Sequence, residues 1–267
     1  MKLAILGMGK MGEAVAQGLR RGELRGLSIR GTTRSEESAQ AVRKRLNIPC
    51  DSANGAAVEQ SEIVLLSVKP HQAEKVLREI APRLTRDHLL ISICASLTTT
   101  QLTSWSGGKA AVIRAMPNTP CLIGQGMTVF CGSSSAKAKH FELAGQIFDP
   151  LGKTAVVEES LMDGVTGLSG CGPAYVYLII EALSEAGVKV GLPRDTATLL
   201  AAQTLLGSAQ MVLERGVHPA ALKDEVTTPA GCTIDGLMAL EEGKLRVTLI
   251  KAVLAAAKRS KTLRGAE

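Results

Sequence analysis

The chain predicts a doubly wound, mainly parallel α/β sheet domain followed by an all-helical domain. Three observations carry this reading. An apolar strand at 2–6 runs into a glycine-rich turn at 7–12, strand-like and helix-like segments alternate as far as Val157, and after Glu159 only helical patterns follow, punctuated by Gly and Pro.

The first strand, Lys2–Leu6, leads through Gly7-Met8-Gly9-Lys10-Met11-Gly12 into the amphipathic run Glu13–Arg21. In a Gly-x-Gly-x-x-Gly turn so placed, Gly7 allows the tight turn, Gly9 leaves room for phosphates, and Gly12 lets the helix pack on the strand. A dinucleotide pyrophosphate then rests on backbone N–H groups at the helix start, the Rossmann-type arrangement. The second strand, Leu27–Thr32, ends at Thr33-Arg34-Ser35, with no acidic residue before Glu36 to take the ribose hydroxyls. Arg34 and the hydroxyls around it suit a 2′-phosphate, and one such charge-assisted contact is worth about 1.5–3 kcal/mol. NADPH is the expected cofactor, with NADH less favoured; Arg34 also reads as a solvated loop residue.

A helix over Glu36–Leu46 connects to a third strand, Glu62–Val68, which closes on Ser67-Val68-Lys69-Pro70. Ligands of such sheets bind outside the carboxyl ends of the strands, so Lys69 falls beside the cofactor and Pro70 opens the next helix, Pro70–Leu84. The same lysine reads equally as a solvated strand-end residue. Strands Leu89–Ala95 and Ala111–Arg114 follow, and the second of these enters the stiff turn Arg114-Ala-Met-Pro-Asn-Thr-Pro120. Its prolines fix Asn118 where the nicotinamide end would lie, although a bare structural turn has the same look. Met127–Cys131, a helix at Ala136–Leu151 and Thr154–Val157 complete the first domain, placed at 1–159.

The second domain, 160–267, reads as helices at Tyr175–Ala186, Arg194–Arg215, Pro219–Val226, Thr233–Glu241 and Lys244–Arg264. Thr196–Val212 is apolar or small nearly all round, so it must be buried on every side. Burial against a second subunit is expected, with a central helix of a monomeric bundle as the alternative. The turn Thr227-Thr-Pro-Ala-Gly-Cys-Thr-Ile-Asp-Gly236 looks like a helix start with free N–H groups at Gly231, Cys232 and Thr233. Such a start attracts a carboxylate by about 0.3–1 kcal/mol when exposed and up to ~2 kcal/mol when buried. Thr233 adds a hydroxyl toward a substrate nitrogen. Without a ligand, the turn is an ordinary cap.

Composition narrows the chemistry. Of 267 residues, 45% are hydrophobic but only 2% aromatic, so the core rests on Leu, Ile, Val and Ala. Six cysteines without a CxxC pair, and no signal-like segment, lead to the expectation of a reducing cytoplasm. The four histidines are not paired at metal-ligand spacing, so no metal site is expected. A nucleophile elbow and a plausible triad are missing too, which suits hydride transfer, because there the cofactor carries the chemistry. The net charge of +6 is spread without aromatic or Gly/Arg interleaving, so no nucleic-acid partner is expected. Apolar stretches fall short of the roughly 18 residues a spanning helix needs, so no membrane is expected either.

Taken in order, LGMGKMG (6–12), SVKPH (67–71), RAMPNTP (114–120), GLSGCGPAYVY (167–177), VGLPR (190–194) and HPAALKDEVTTPAGCTI (218–234) resemble pyrroline-5-carboxylate reductase across nearly the whole chain. Cys171 stands where that family usually has Ser, and Ala230 and Cys232 where Gly and Thr or Ala are more familiar; all three are small. The resemblance implies hydride reduction of a cyclic imine carboxylate, pyrroline-5-carboxylate, to L-proline, the last step of proline biosynthesis. It implies a cofactor lining of Leu6, Gly7, Met8, Gly9, Lys10 and Met11, with Thr33, Arg34, Asn54, Ser67, Val68, Lys69, Pro70, Cys94, Ala95, Ser96 and Glu159. It implies that backbone N–H groups of Gly231, Cys232 and Thr233 hold the substrate carboxylate, beside Glu225 and Thr228, with Thr233 facing the imine nitrogen. It also implies a homo-oligomer, a dimer through interlocked helical domains. A β-hydroxyacid dehydrogenase would need a general-base Lys on the helix after its Gly-rich turn, and here none precedes Lys189. A non-catalytic NADPH-binding relative is the other alternative.

Overall fold

The structure, a computed structural model, describes residues 1–22 and 26–264. Eight strands among these form one sheet: β1 (Lys2–Leu6), β2 (Ser28–Thr32), β3 (Cys50–Asp51), β4 (Ile63–Leu66), β5 (Leu89–Ser92), β6 (Ala111–Met116), β7 (Gly126–Gly132) and β8 (Gly152–Val156). Their spatial order is β3-β2-β1-β4-β5-β6-β7-β8. All neighbours run parallel except β6 and β7, where Ile113 lies opposite Gly132 in antiparallel register. The chain adds strands to one side of β1 and then, from β4, to the other. That reversal opens a crevice at the carboxyl ends of β1 and β4, which places the ligand edge.

Six helices cover the sheet: α1 (Lys10–Arg21), α2 (Glu36–Leu46), α3 (Asn54–Glu59), α4 (Pro70–Ile80), α5 (Thr99–Trp105) and α6 (Ala138–Phe148). Successive strand residues point to opposite faces. Leu3, Ile5, Ile63 and Leu65 therefore pack under Val15, Leu19, Val42 and Phe148 of α1, α2 and α6. Ala4, Leu6, Val64 and Leu66 pack against Val58, Ala73, Leu77 and Leu102 of α3, α4 and α5. Each fully buried Val, Leu or Ile side chain contributes about 1.5–3 kcal/mol, which lets a core with few aromatics suffice.

Local chemistry sets the ends of these helices. Ser35 caps α2 by accepting the Ser38 N–H at 3.3 Å, acids occupy its first turn and bases its last. The predicted pattern lacks β3, α3 and α5. The first is two residues long, too short for a period to show, and the second is a six-residue helix. Thr-rich α5 looks strand-like, yet Thr98 and Gln101 form a reciprocal capping box that starts it.

After β8, α7 (Met162–Val165) continues into a π-helical turn, Thr166–Gly170. The chain divides into two compact units, Met1–Cys171 with the stretch from Ala255 onward, and Gly172–Leu254. Sequence pattern alone puts the change at 159/160. Residues 160–171 are helical in pattern, but Met162 shares a small core with Val129 and Cys131, which ties them to the sheet. Likewise Ser260 donates to buried Asp163 at 2.9 Å.

The second unit comprises α8 (Gly172–Lys189), α9 (Arg194–Arg215), α10 (Pro219–Glu225), α11 (Cys232–Glu242) and the first part of α12 (Leu245–Arg264). Ala197 and Ala201 are the buried residues of α9, whereas Leu199 is 68% and Leu213 73% exposed. The alternative of a central helix in a monomeric bundle is therefore not what the single chain forms. By length and composition α9 could also cross a membrane, with a mean hydropathy of 1.2 over its best window. This corrects the expectation that no stretch is long and apolar enough: its interspersed Thr, Gln, Gly and Ser lower the average without bringing in many charges.

His140 sits buried at the start of α6, its Nδ1 accepting the Lys137 N–H at 3.0 Å. Burial, then Lys139 and Lys137, push its pKa below the ordinary imidazole value. The unfolded chain thus binds a proton more readily, so this contribution to stability is complete above about pH 6.5 and is lost as pH falls through the folded-state pKa. Thermal melts should show wild type losing more Tm between about pH 7 and about pH 5 than His140→Gln does. Parallel curves would contradict this.

Candidate active site

The turn after β1 has the geometry its glycines predict. Gly7 adopts φ +98°, and a Cβ on it would come within 2.9 Å of the Ser67 backbone. The N–H groups of Gly7 and Met8 both reach the Thr32 carbonyl, at 3.1 and 2.9 Å, which ties the turn to the end of β2. A Cβ on Gly12 would run into the Gly7 carbonyl oxygen, whereas one on Gly9 meets nothing within 4 Å. Gly9 is the N-cap of α1 and offers no side-chain cap; the first intrahelical bond is Glu13 N–H to Gly9 O at 2.9 Å. The amides of Lys10, Met11 and Gly12 therefore have no partner on the helical ladder, and the space at the exposed Gly9 beside them is open. This cradle, tight below and open above, fits a pyrophosphate.

Around it the carboxyl ends of the neighbouring strands converge. Ser67 N–H donates to the Leu6 carbonyl at 2.8 Å, and Lys69, exposed, is the N-cap of α4 before Pro70. Beyond β5, buried Cys94 donates its thiol to the Val68 carbonyl at 3.2 Å. Burial pushes the Cys94 pKa up to about 11, so the thiol stays protonated and serves as a donor. Ala95 is half-buried, and Ser96 is held at φ +62°. At the end of β2, Thr33 donates to the Ser35 carbonyl at 2.9 Å, Ser35 donates to the Ser38 hydroxyl at 3.0 Å, and Arg34 stands exposed. Asn54, the first residue of α3, accepts from Thr32 at 2.7 Å and donates to Glu79 at 3.2 Å. These residues share one edge of the sheet.

Two further expected contacts have other engagements. Asn118 accepts the Met127 N–H at 2.9 Å and donates to the Ser169 carbonyl at 3.3 Å, so it braces the π-helical turn against β7. Glu159 accepts the Thr99 N–H at 2.7 Å and the Thr99 hydroxyl at 2.6 Å, and pairs with Arg114 at 3.3 Å.

In the second unit, Gly231 is the N-cap of α11 and Ala230 before it takes φ +57°. Gly231 N–H is not free as expected: it donates to the Thr228 carbonyl at 3.1 Å, closing the turn. The free amides start one residue later, at Cys232, Thr233 and Ile234. Thr233 is half-buried while Cys232 and Thr228 are exposed. Glu225 makes a two-pronged pair with Arg215, at 2.6 and 2.8 Å, joining the end of α9 to α10. The hydrogen bonds from Arg215 hold the Glu225 carboxyl below its usual range.

Comparison with known proteins decides the kinship. The chain is 43% identical to the pyrroline-5-carboxylate reductase of Pisum sativum over 98% of its own length and 95% of that protein's. It belongs to the pyrroline-5-carboxylate reductase family. Residues 159–263 match the family profile described as pyrroline-5-carboxylate reductase dimerisation, and 2–96 that of NADP oxidoreductase, coenzyme F420-dependent. The Methanosarcina acetivorans pyrroline-5-carboxylate reductase is 37% identical over 98% of this chain and 97% of its own. Among solved structures, the Plasmodium falciparum pyrroline carboxylate reductase with NADP bound aligns with a TM-score of 0.88. It is 35% identical, covering 99% of this chain and 98% of that one.

For this reductase-family chain, sequence reading assigned no role to Arg114 or Thr99. A signal existed for the first: a charge inside the apolar strand Ala-Val-Ile-Arg-Ala-Met demands a buried partner. Gly12→Ala and Gly9→Ala separate packing from ligand space. Gly12→Ala should cost about 1–3 kcal/mol, lowering Tm by roughly 2–4 °C per kcal/mol. Gly9→Ala should leave Tm unchanged yet weaken nucleotide binding about tenfold or more, since its methyl enters the open space. Calorimetric melts and NADPH titrations check both; equal Tm losses would refute the division of roles.

Proposed function

We propose that this chain reduces pyrroline-5-carboxylate to L-proline with NADPH. The observation that carries the reading is the open, amide-lined corner at Gly9, set at the β1/β4 crevice of a chain akin to these reductases from end to end. When bound, the dinucleotide supplies the hydride. The turn Leu6–Met11 presents the free amides at the start of α1 to its pyrophosphate, Thr33, Arg34 and Asn54 take its phosphorylated ribose, and Ser67–Pro70 with Cys94–Ser96 the rest. Asn118 and Glu159 shape this edge through the protein partners they already hold.

The substrate carboxylate lies on the amides of Cys232 and Thr233, where the start of α11 favours negative charge. The Thr233 hydroxyl holds the imine nitrogen, and Gly231, Thr228 and Glu225 keep the turn in shape. A cyclic imine protonated on nitrogen is already an electrophile, so alignment is most of what the protein supplies. Lys69, at the sheet edge, contributes positive charge toward anionic ligands. Dimerisation would cover the apolar surface that α9 exposes, and the reducing cytoplasm remains the expected compartment.

The test is NADPH oxidation with pyrroline-5-carboxylate, run beside NADH. Turnover is expected with NADPH, and binding of NADPH without turnover would refute the reading. Arg34→Gln should raise KM for NADPH about ten- to hundredfold and leave KM for NADH within about twofold; equal effects would remove Arg34 from the 2′-phosphate. Thr233→Ala should lower kcat about tenfold or more without abolishing it. A change confined to NADPH affinity would rule out its role at the imine.

A further inference from the structure

Within the nucleotide edge, the segment between β5 and α5 is the one place where a non-glycine residue is held in the left-handed region: Ser96, at φ +62° and nearly buried. Such a conformation persists when its surroundings over-determine it. Both flanks of Ser96 are pinned. On the amino side, Cys94 N–H donates to Ser92 Oγ at 3.2 Å and its thiol crosses to the Val68 carbonyl, next to Lys69. On the carboxyl side, Thr98 and Gln101 form their capping box, and Thr99 gives both its N–H and its hydroxyl to Glu159. Arg114, only 3% exposed, holds the same Glu159 oxygen that accepts the Thr99 N–H, at 3.3 Å.

We infer that Glu159, anchored by Arg114, is a positioning residue that keeps Ser96 in its left-handed conformation and thereby keeps the Cys94–Ser96 segment in its cofactor-binding shape. The inference deepens the proposed NADPH site and rests on it. Glu159 can act in this way without touching the cofactor, because both its oxygens are engaged with Thr99 and one of them also with Arg114. A glycine at position 96 adopts the same backbone at no steric cost, so the clamp should matter less once Ser96 is replaced.

A double-mutant cycle on NADPH dissociation constants, read by calorimetry on the full chain, tests this. Glu159→Gln should weaken NADPH about tenfold in the wild-type background but less than about threefold alongside Ser96→Gly. A role limited to overall stability would lower Tm and leave the cycle additive. An equal loss in both backgrounds, or no loss in either, overturns the inference. If Glu159→Gln does not fold, Thr99→Val keeps the buried ion pair and removes one clamp bond, and the same cycle should show about a threefold loss that shrinks with Ser96→Gly. Failure of the wild-type protein to bind NADPH would instead overturn the cofactor reading beneath it.

Discussion

The approach of α1 to β1 at Gly12 is the contact on which the nucleotide edge depends. A side chain at that position would meet the Gly7 carbonyl, and the displaced helix would no longer present its first amides over Gly9. Backbone bonds fasten the turn to its neighbours, to Thr32 of β2 on one side and from Ser67 to Leu6 on the other, and Met8 packs into the core beside Gly31. The geometry that serves a pyrophosphate is thus inherited from the register of β1 with β2 and β4. Those registers are secured in turn by strands that are apolar on both faces.

Around this backbone frame, polar side chains are used as fasteners. Asn118 links β7 to the π-helical turn, the Cys94 thiol links β5 to the segment after β4, and Glu159 joins α5 to Arg114. Each satisfies a buried or half-buried donor that would otherwise cost about 1–3 kcal/mol. A core almost without aromatics is permissive in shape, so specific polar bonds of this kind define how the loops at the sheet edge are set.

The helical unit obeys a different logic. Its helices leave Leu178, Leu199, Leu206 and Leu213 at the surface of the single chain. Apolar exposure on that scale is typical of an association surface. Its charged pairs, Arg215 with Glu225 and Arg246 with Glu241, are solvent-exposed and hold helix ends in place rather than adding much stability.

Much was legible in the sequence because it depends on local rules. The steric roles of Gly7 and Gly12 follow from need within a few residues, and the alternation of strands and helices from hydrophobic period. The apolar character of α9 showed that it needs cover. What the sequence did not show depends on hydrogen bonds whose partners no hydrophobic period marks. Gly231 closes a tight local turn onto Thr228, so the free amides of α11 begin at Cys232, and Asn118 and Glu159 are engaged far along the chain by Ser169 and by Thr99 with Arg114. Hydrogen bonds across 45 to 60 positions leave no periodic trace, so the direction in which a polar side chain points was decided only when the sheet brought those segments together.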